Sequence, residues 1–290
     1  MPSPVLLLRA PTENDRYDSA LRSSSFIPFS LPVLQTTLHI DGLKQIVSRP
    51  PDVRGVIVTS ARAAEAWGKA VDDILSACAE VGSSVDWRAI PFYTVGPATA
   101  SLLRSLSGPS PSPSRVQLCP SNIRGMQSGN AEALAHFIVS DQHETPGATL
   151  LYLTGDKNRD TLSNIVKEAR LKIREEQVYR TDGVELGAFE ESVLGTMKEE
   201  ADPQRPASGE PWWIVCFAPS STSHVLPVLR RHFHLPGDDS TSEDASKTRA
   251  RLAAIGPTTA DFLREQSLRV DAIPSRPSAD ALVEALRGAQ

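Results

Sequence analysis

Cysteine is scarce in this chain: Cys78, Cys119 and Cys216 are far apart, odd in number and free of any CxxC spacing. That excludes a disulfide framework and a zinc-ribbon arrangement, and it fits a reducing compartment. Long apolar runs are also missing, and none approaches the ~20 residues needed to cross a bilayer. The first one, Val5–Leu8, is too short for a signal-peptide core, and no Arg-rich amphipathic presequence precedes it, so the expected location is the cytoplasm. Lys/Arg runs are absent and the net charge is −5, with a pI near 5.7, which argues against nucleic acid as a partner. No Walker A loop, GxGxxG, HExxH or GxSxG appears, and His39, His136, His143, His224, His232 and His234 lack partners at ligand spacing. Phosphoryl transfer, hydride transfer and zinc hydrolysis lose ground together, and neither a metal nor a cofactor is expected.

What is present suits a globular α/β protein. Apolar residues make up 40% and charged residues 22% of 290, enough for sizeable cores, and a chain of this length exceeds what one core usually serves. Short β-rich runs alternate with helical patterns: Val5–Leu8, Gly55–Thr59, Phe92–Val95, Val116–Leu118, Thr149–Leu153, Gln177–Thr181, Trp212–Phe217, Leu252–Ile255 and Val270–Ala272. Such alternation predicts parallel sheets built from βαβ units, and unbroken apolar runs such as Val56-Ile57-Val58 predict strands covered on both faces. Three segments rich in Pro, Ser, Gly and acid, at 107–114, 200–209 and 236–246, read as mobile surface insertions.

An internal repeat organises the rest. Val56-Ile-Val-Thr-Ser60 followed by Val95-Gly96-Pro-Ala-Thr99 is echoed by Ile214-Val-Cys-Phe-Ala218 followed by Ile255-Gly256-Pro-Thr-Thr259. Leu118-Cys-Pro-Ser121 and Ala272-Ile-Pro-Ser275 continue the parallel, each leading to an Ala-x-Ala-Leu helix. Two doubly wound domains of one topology, related by duplication, account for this better than one large sheet.

In each copy an apolar strand ends in small hydroxylated or basic residues and a helix follows at once. Open parallel sheets bind ligands at such strand ends, where helix N-termini offer unpaired N–H groups. Ser60 and Arg62, Gly96 and Thr99, Gly155 and Arg159, Ser220 and Ser221, and Thr258 and Thr259 occupy these positions. Two readings stand side by side. Ser and Thr before a helix commonly serve only as caps, contributing about 0.5–2 kcal/mol, and Arg62 and Arg159 commonly face solvent. Their recurrence, with cations set against the helix dipole, points instead to an anionic ligand.

Taken in order, these motifs resemble the uroporphyrinogen-III synthase family over nearly the whole chain. The landmarks are Val5–Leu8, Val58-Thr-Ser-Ala-Arg62, Val95-Gly-Pro-Ala-Thr-Ala100, Gly129-Asn-Ala-Glu-Ala-Leu-Ala135, Gly155-Asp-Lys-Asn-Arg159, Val178-Tyr-Arg-Thr181, Phe217-Ala-Pro-Ser220 and Ala254–Ala260. Ala218 stands where the family often has serine, and Ala61 where it often has proline.

The resemblance implies two flavodoxin-like domains, 1–36 with 182–290 and 37–181, joined by a two-stranded hinge at 32–38 and 177–181 that allows closure. It implies a cofactor-independent lyase of tetrapyrrole (heme) biosynthesis that cyclises hydroxymethylbilane to uroporphyrinogen III, inverting ring D and losing water. It further implies a cytoplasmic monomer that takes its substrate in transient hand-over from the preceding deaminase. Ser60, Arg62, Gly96, Thr99, Gly155, Arg159, Ser220, Ser221, Thr258 and Thr259 would then bind substrate carboxylates. Tyr179 would protonate the departing hydroxyl, since a phenol both donates and accepts and carries its proton at neutral pH; the competing reading is a hinge tyrosine that only packs. The alternative outside enzymology is a non-catalytic, hinged two-domain α/β protein that binds a small anion. A sugar-phosphate isomerase is disfavoured because no acid/base pair accompanies a phosphate loop.

Overall fold

The computed structural model describes residues 2–49, 52–77, 86–109, 111–142, 149–200, 210–238 and 247–289. Cys78, His143 and most of the second and third insertions lie outside them. In chain order the first elements are β1 (Ser3–Leu7), α1 (Arg16–Arg22), β2 (Phe26–Ser30), β3 (Leu34–Leu38), α2 (Asp41–Ser48), β4 (Gly55–Val58) and α3 (Ala61–Ser76). There follow β5 (Phe92–Thr94), α4 (Pro97–Ser105), α5 (Pro113–Leu118), β6 (Ile123–Arg124), α6 (Ala131–Asp141), β7 (Thr149–Gly155), α7 (Thr161–Glu168) and β8 (Lys172–Gly183). The chain continues through α8 (Leu186–Glu200), β9 (Trp212–Cys216), α9 (Pro219–His232), β10 (Phe233–His234), β11 (Thr248–Ala254), α10 (Pro257–Glu265) and α11 (Ala279–Gly288).

The chain divides into two compact units, Met1–Gln35 with Asp182–Gln290, and Thr36–Thr181. The first unit carries a sheet of order β10-β11-β9-β1-β2, and the second a sheet of order β3-β8-β7-β4-β5-β6. The pairs β1·β2, β1·β9, β9·β11, β4·β5, β4·β7, β5·β6 and β7·β8 are parallel. Both boundaries between the units fall within neighbouring strands, β3 and β8.

Period-2 alternation sets the layers. In the first unit Leu6, Ile214, Cys216 and Leu252 face α8, α9 and α10, whereas Val5, Leu7, Trp213 and Ala253 face α1 and α11. In the second, Val56, Val58, Leu151 and Leu153 face α2, α3, α4 and α5, whereas Ile57, Tyr93, Leu150 and Tyr152 face α6 and α7. Covered on both faces, these strands have to be apolar throughout, which their sequences are. Trp67 anchors the second core: its ring meets Trp87 and Phe92 edge to face at 4.8 and 4.9 Å, and its indole N–H donates to the Leu118 carbonyl at 3.0 Å.

The two units share one spatial arrangement read from different starting points. Placing β4 on β9 and β5 on β11, as the repeat directs, sets β7 on β1 and β8 on β2, although β1 and β2 precede β9 in the chain while β7 and β8 follow β4. The helices correspond in the same way, α3 to α9, α4 to α10, α6 to α11 and α7 to α1. The duplication is circularly permuted.

Two expected strands differ. Val116–Leu118 belongs to α5, because Ser112 caps the segment by accepting from Arg115 N and Pro113 supplies a preset first-turn φ. Val116 and Leu118, with Gln117 between them, carry too little local preference to override a cap. Of Val270–Ala272 only Ala272 pairs, as a single parallel bridge to Ala253. The first insertion contributes the start of α5, and the strands β2, β6 and β10, each at one end of its sheet, were not anticipated.

Candidate active site

Strand-end chemistry in the second unit starts with β4. Thr59 and Ser60 follow it, and Ser60 caps α3: its Oγ accepts from Ala63 N at 3.1 Å. Next along the sheet, Gly96 caps α4 in an extended conformation (φ −152°), with Pro97 opening the helix and Thr99 buried in its first turn. Gly96 therefore has no conformational need to be glycine, yet a Cβ built on it would meet no atom within 4 Å. The space above that helix end is open. Arg62 is exposed and makes no ion pair or hydrogen bond with the described residues.

On the other side of β4 lies β7, and between them is the point where the crossovers diverge. The chain leaves β4 through α3 on one face and leaves β7 through α7 on the other, which opens a crevice at the carboxyl ends of these two strands. Tyr152 stands in this crevice, 2% exposed, with its hydroxyl 3.0 Å from Asn158 Oδ1 and 3.4 Å from Thr59 Oγ1. Burial raises its pKa above the ordinary phenol value, with hydrogen bonds to Thr59 and Asn158 opposing. Its proton is committed to Asn158. The loop after β7 is tied to β8 by Asp156 Oδ1, which accepts from Thr181 N at 3.1 Å, and by Lys157 Nζ, which donates to Thr181 O at 3.4 Å. Arg159 in this loop is exposed and free of partners among the described residues.

Tyr179 is the neighbour of Gly155 across a register irregularity in the β7·β8 ladder. A Cβ on Gly155 would lie 2.5 Å from Cε2 and Cζ of the Tyr179 ring and 2.8 Å from its hydroxyl oxygen. Gly155 is thus glycine because the tyrosine ring occupies the place of its side chain. Tyr179 is half-buried against the second core, and its hydroxyl has no hydrogen-bond partner among the described residues. The two phenols of this crevice differ: one proton is engaged and one is not.

In the first unit the equivalent helix ends carry the remaining residues. Pro219 opens α9, Ser220 is exposed without a partner among the described residues, and buried Ser221 donates its hydroxyl back to Ala218 O at 3.1 Å. Pro257 opens α10, with Thr258 exposed and Thr259 buried, and Gly256 repeats the extended cap with open space around it. Since β9 and β11 are adjacent, Ser220 and Thr258 sit at one edge of one sheet. Ser60, Arg62, Gly96, Thr99, Gly155, Arg159 and Tyr179 gather at the matching edge of the other unit's sheet.

Thr59 and Asn158 stood inside the strand-end motifs without being singled out, and Tyr152 was not named as a site candidate. Tyr152 looked like one more apolar strand residue, and only its position beside the diverging crossovers marks it. Among the described residues no group of three His, Cys, Asp or Glu side chains could hold a metal ion, and no helix is long and apolar enough to cross a membrane.

These features define a class: a doubly wound α/β protein, twice over, whose strand ends carry helix N-termini, hydroxyls and exposed cations. The family model described as "Uroporphyrinogen-III synthase HemD" matches residues 15–284. Saccharomyces cerevisiae uroporphyrinogen-III synthase is 28% identical over 292 residues, covering 97% of this chain and 94% of that protein. The Schizosaccharomyces pombe protein of the same name is 26% identical over 237 residues, 80% of this chain and 74% of that one. The solved structure of uroporphyrinogen-III synthetase from Helicobacter pylori aligns over the full length of both chains with 16% identity and a TM-score of 0.49. The chain belongs to the uroporphyrinogen-III synthase family, whose members are cyclising lyases of porphyrin biosynthesis acting on a tetrapyrrole.

Proposed function

We propose that this protein converts hydroxymethylbilane to uroporphyrinogen III by binding its carboxylates at the strand ends of each unit and protonating its leaving hydroxyl from Tyr179. The supporting observation is the Tyr179 hydroxyl, seated on Gly155 and without a hydrogen-bond partner among the described residues, at the sheet edge that also carries the N-termini of α3 and α4. Eight carboxylates need many donors, and first-turn N–H groups at α3, α4, α9 and α10 supply them without a matching number of basic side chains.

The chemistry then runs in balanced steps. The phenol of Tyr179 gives its proton to the substrate hydroxyl, the C–O bond breaks, and water leaves. The remaining azafulvene cation is attacked by the substituted α-carbon of ring D, forming a spiro intermediate. That intermediate fragments on its other side, re-closes with ring D inverted, and returns a proton to the phenolate. No step changes oxidation state or transfers a group to a carrier, so the reading includes no cofactor. Because the substrate closes unaided to the symmetric isomer, holding it in the spiro-forming shape is the main catalytic task. The same reading takes the protein as a cytoplasmic monomer supplied by the deaminase that makes hydroxymethylbilane.

The test supplies hydroxymethylbilane generated in situ and resolves the product isomers by chromatography. The expected product is the asymmetric isomer, formed faster than unaided closure. For Tyr179→Phe, turnover is expected to fall 10²–10⁴-fold, the usual worth of a positioned acid. Unchanged turnover in that variant would remove Tyr179 from the reaction, and a symmetric product from the wild type would remove the function.

A further inference from the structure

The crevice equivalent to that of Tyr152 lies in the first unit between the carboxyl ends of β1 and β9, where α1 and α9 depart to opposite faces. Arg9 sits there. Its N–H turns back to Leu7 O at 2.8 Å, ending the strand sharply. Its guanidinium carbon lies 5.0 Å from the ring centroid of Tyr17 and 5.5 Å from that of Phe217. The two rings meet edge to face at 5.3 Å, and the Tyr17 hydroxyl is held in turn by Pro277 O at 3.2 Å. The guanidinium packs against aromatic walls that are themselves fixed.

Its charge is paired with that of Asp15, but its N–H groups are not hydrogen-bonded there. Asp15 stands 3.4 Å from Nη2, but the carboxylate is already engaged, accepting from Thr12 N, Thr12 Oγ1, Tyr17 N and Asp18 N as the cap of α1. No guanidinium N–H of Arg9 makes a hydrogen bond to a described residue, although the side chain is only 23% exposed. An arginine kept for structure spends its planar fork bidentately on a carboxylate or on carbonyls. Here the fork is held beside Asp15 with its N–H groups unused as hydrogen-bond donors among the described residues. The other unit shows that this is no requirement of the fold: counting forward from the paired positions Leu6·Ile214 and Leu151·Val56, the equivalent of Arg9 is neutral Thr154.

We propose that Arg9, seated against the corner formed by Tyr17 and Phe217, is a carboxylate-recognition residue that receives one carboxylate of the polyanionic substrate through a bidentate pair. This rests on the functional reading above and adds a subsite that no strand-end motif contains. It assigns a division of labour: a crevice with an arginine against aromatic rings in the first unit and a phenolic one in the second.

The experiment compares wild type, Arg9→Met and Arg9→Lys in two assays, turnover of hydroxymethylbilane and binding of uroporphyrin, a stable octacarboxylate, by fluorescence titration. Arg9→Met keeps an apolar stem beside the rings and removes the fork. KM is expected to rise about tenfold, equivalent to about 1.4 kcal/mol, with a smaller change in kcat and a shallower dependence of KM on salt. Uroporphyrin affinity should fall by a similar factor. Arg9→Lys should recover the salt dependence but only part of the affinity, because an ammonium cannot grip both oxygens; if Arg9→Met fails to fold, this variant decides, a wild-type KM refuting the proposal. Unchanged KM and unchanged uroporphyrin affinity in folded Arg9→Met would overturn it while leaving the synthase activity standing. If the wild type makes only the symmetric isomer, the functional reading falls, and Arg9-dependent uroporphyrin binding still decides the subsite.

Discussion

Replacing Gly155 by alanine separates the position of the Tyr179 hydroxyl from its chemistry. The added Cβ would stand 2.5 Å from two ring carbons of Tyr179. Ordinary carbon–carbon contact is about 3.5–4.0 Å, so the ring has to retreat by roughly 1–1.5 Å. The backbone of Gly155 is outside the left-handed region, so alanine is conformationally tolerated and stiffens the unfolded chain by about 0.4–1 kcal/mol. Against this stands an overpacking cost of about 1–3 kcal/mol, which the swing of a half-exposed ring relieves in part. The protein should stay folded, losing at most about 2 kcal/mol. Catalysis should suffer far more, because a displacement of about 1 Å at a reacting group costs on the order of 10²-fold. The assay is kcat for the asymmetric isomer together with the ratio of the two isomers, set beside a urea unfolding curve. In the double variant Gly155→Ala/Tyr179→Phe the losses should not multiply, since a displaced hydroxyl and a missing one are equivalent. Turnover of Gly155→Ala within twofold of the wild type, or losses that multiply in the double variant, would refute the reasoning.

Other expectations follow from the same geometry. Gly96→Ala and Gly256→Ala introduce methyl groups into space empty of protein atoms, at extended caps; unfolding stability should change by less than about 1 kcal/mol, while KM rises several-fold if carboxylates approach these N–H groups, and an unchanged KM removes them from binding. Ser60→Ala loses the hydroxyl that caps α3, so thermal unfolding should show a loss of about 0.5–2 kcal/mol, with substrate binding through first-turn N–H groups surviving in the KM. Burial of Asp15 works against its charge, but hydrogen bonds from Asp18, Thr12 and Tyr17 and the Arg9 guanidinium outweigh it and hold its carboxyl below the ordinary value. A depressed carboxylate stabilises the fold above its unfolded pKa of about 4 and loses that contribution as pH falls through the lower folded value. Asp15→Asn should therefore be destabilised near neutral pH and show a flatter acid limb in unfolding measured between pH 5 and pH 2.

The local chemistry of the chain decided most of the architecture. Gly-Pro-x-Thr after an apolar run specifies a strand, an extended cap and a helix wherever it stands, so 95–99 and 255–259 read alike in sequence and in structure. Unbroken runs such as Val56–Val58 and Trp213–Val215 announced sheets covered on both faces, because only a doubly buried strand tolerates apolar residues at every position. Where local preference was weak, tertiary context prevailed: 116–118 joined a capped helix, and Ala272 found one partner on an edge.

The site was legible only by kind. Hydroxyls and cations at strand ends follow from motifs, as they did at Ser60, Arg159 and Thr258. Distances across the sheet do not, because strand order is set by which crossovers pack on which face, and nothing within a few residues of Tyr152 or Arg9 encodes that. So the sequence by itself determined most of the elements, the repeated α/β pattern and the family. Only the tertiary structure decided that Gly155 is the seat of Tyr179, that one phenol is engaged and the other unengaged, and that Arg9 packs against two rings 8 and 208 positions away, since such contacts depend on the permuted order in which distant strands meet.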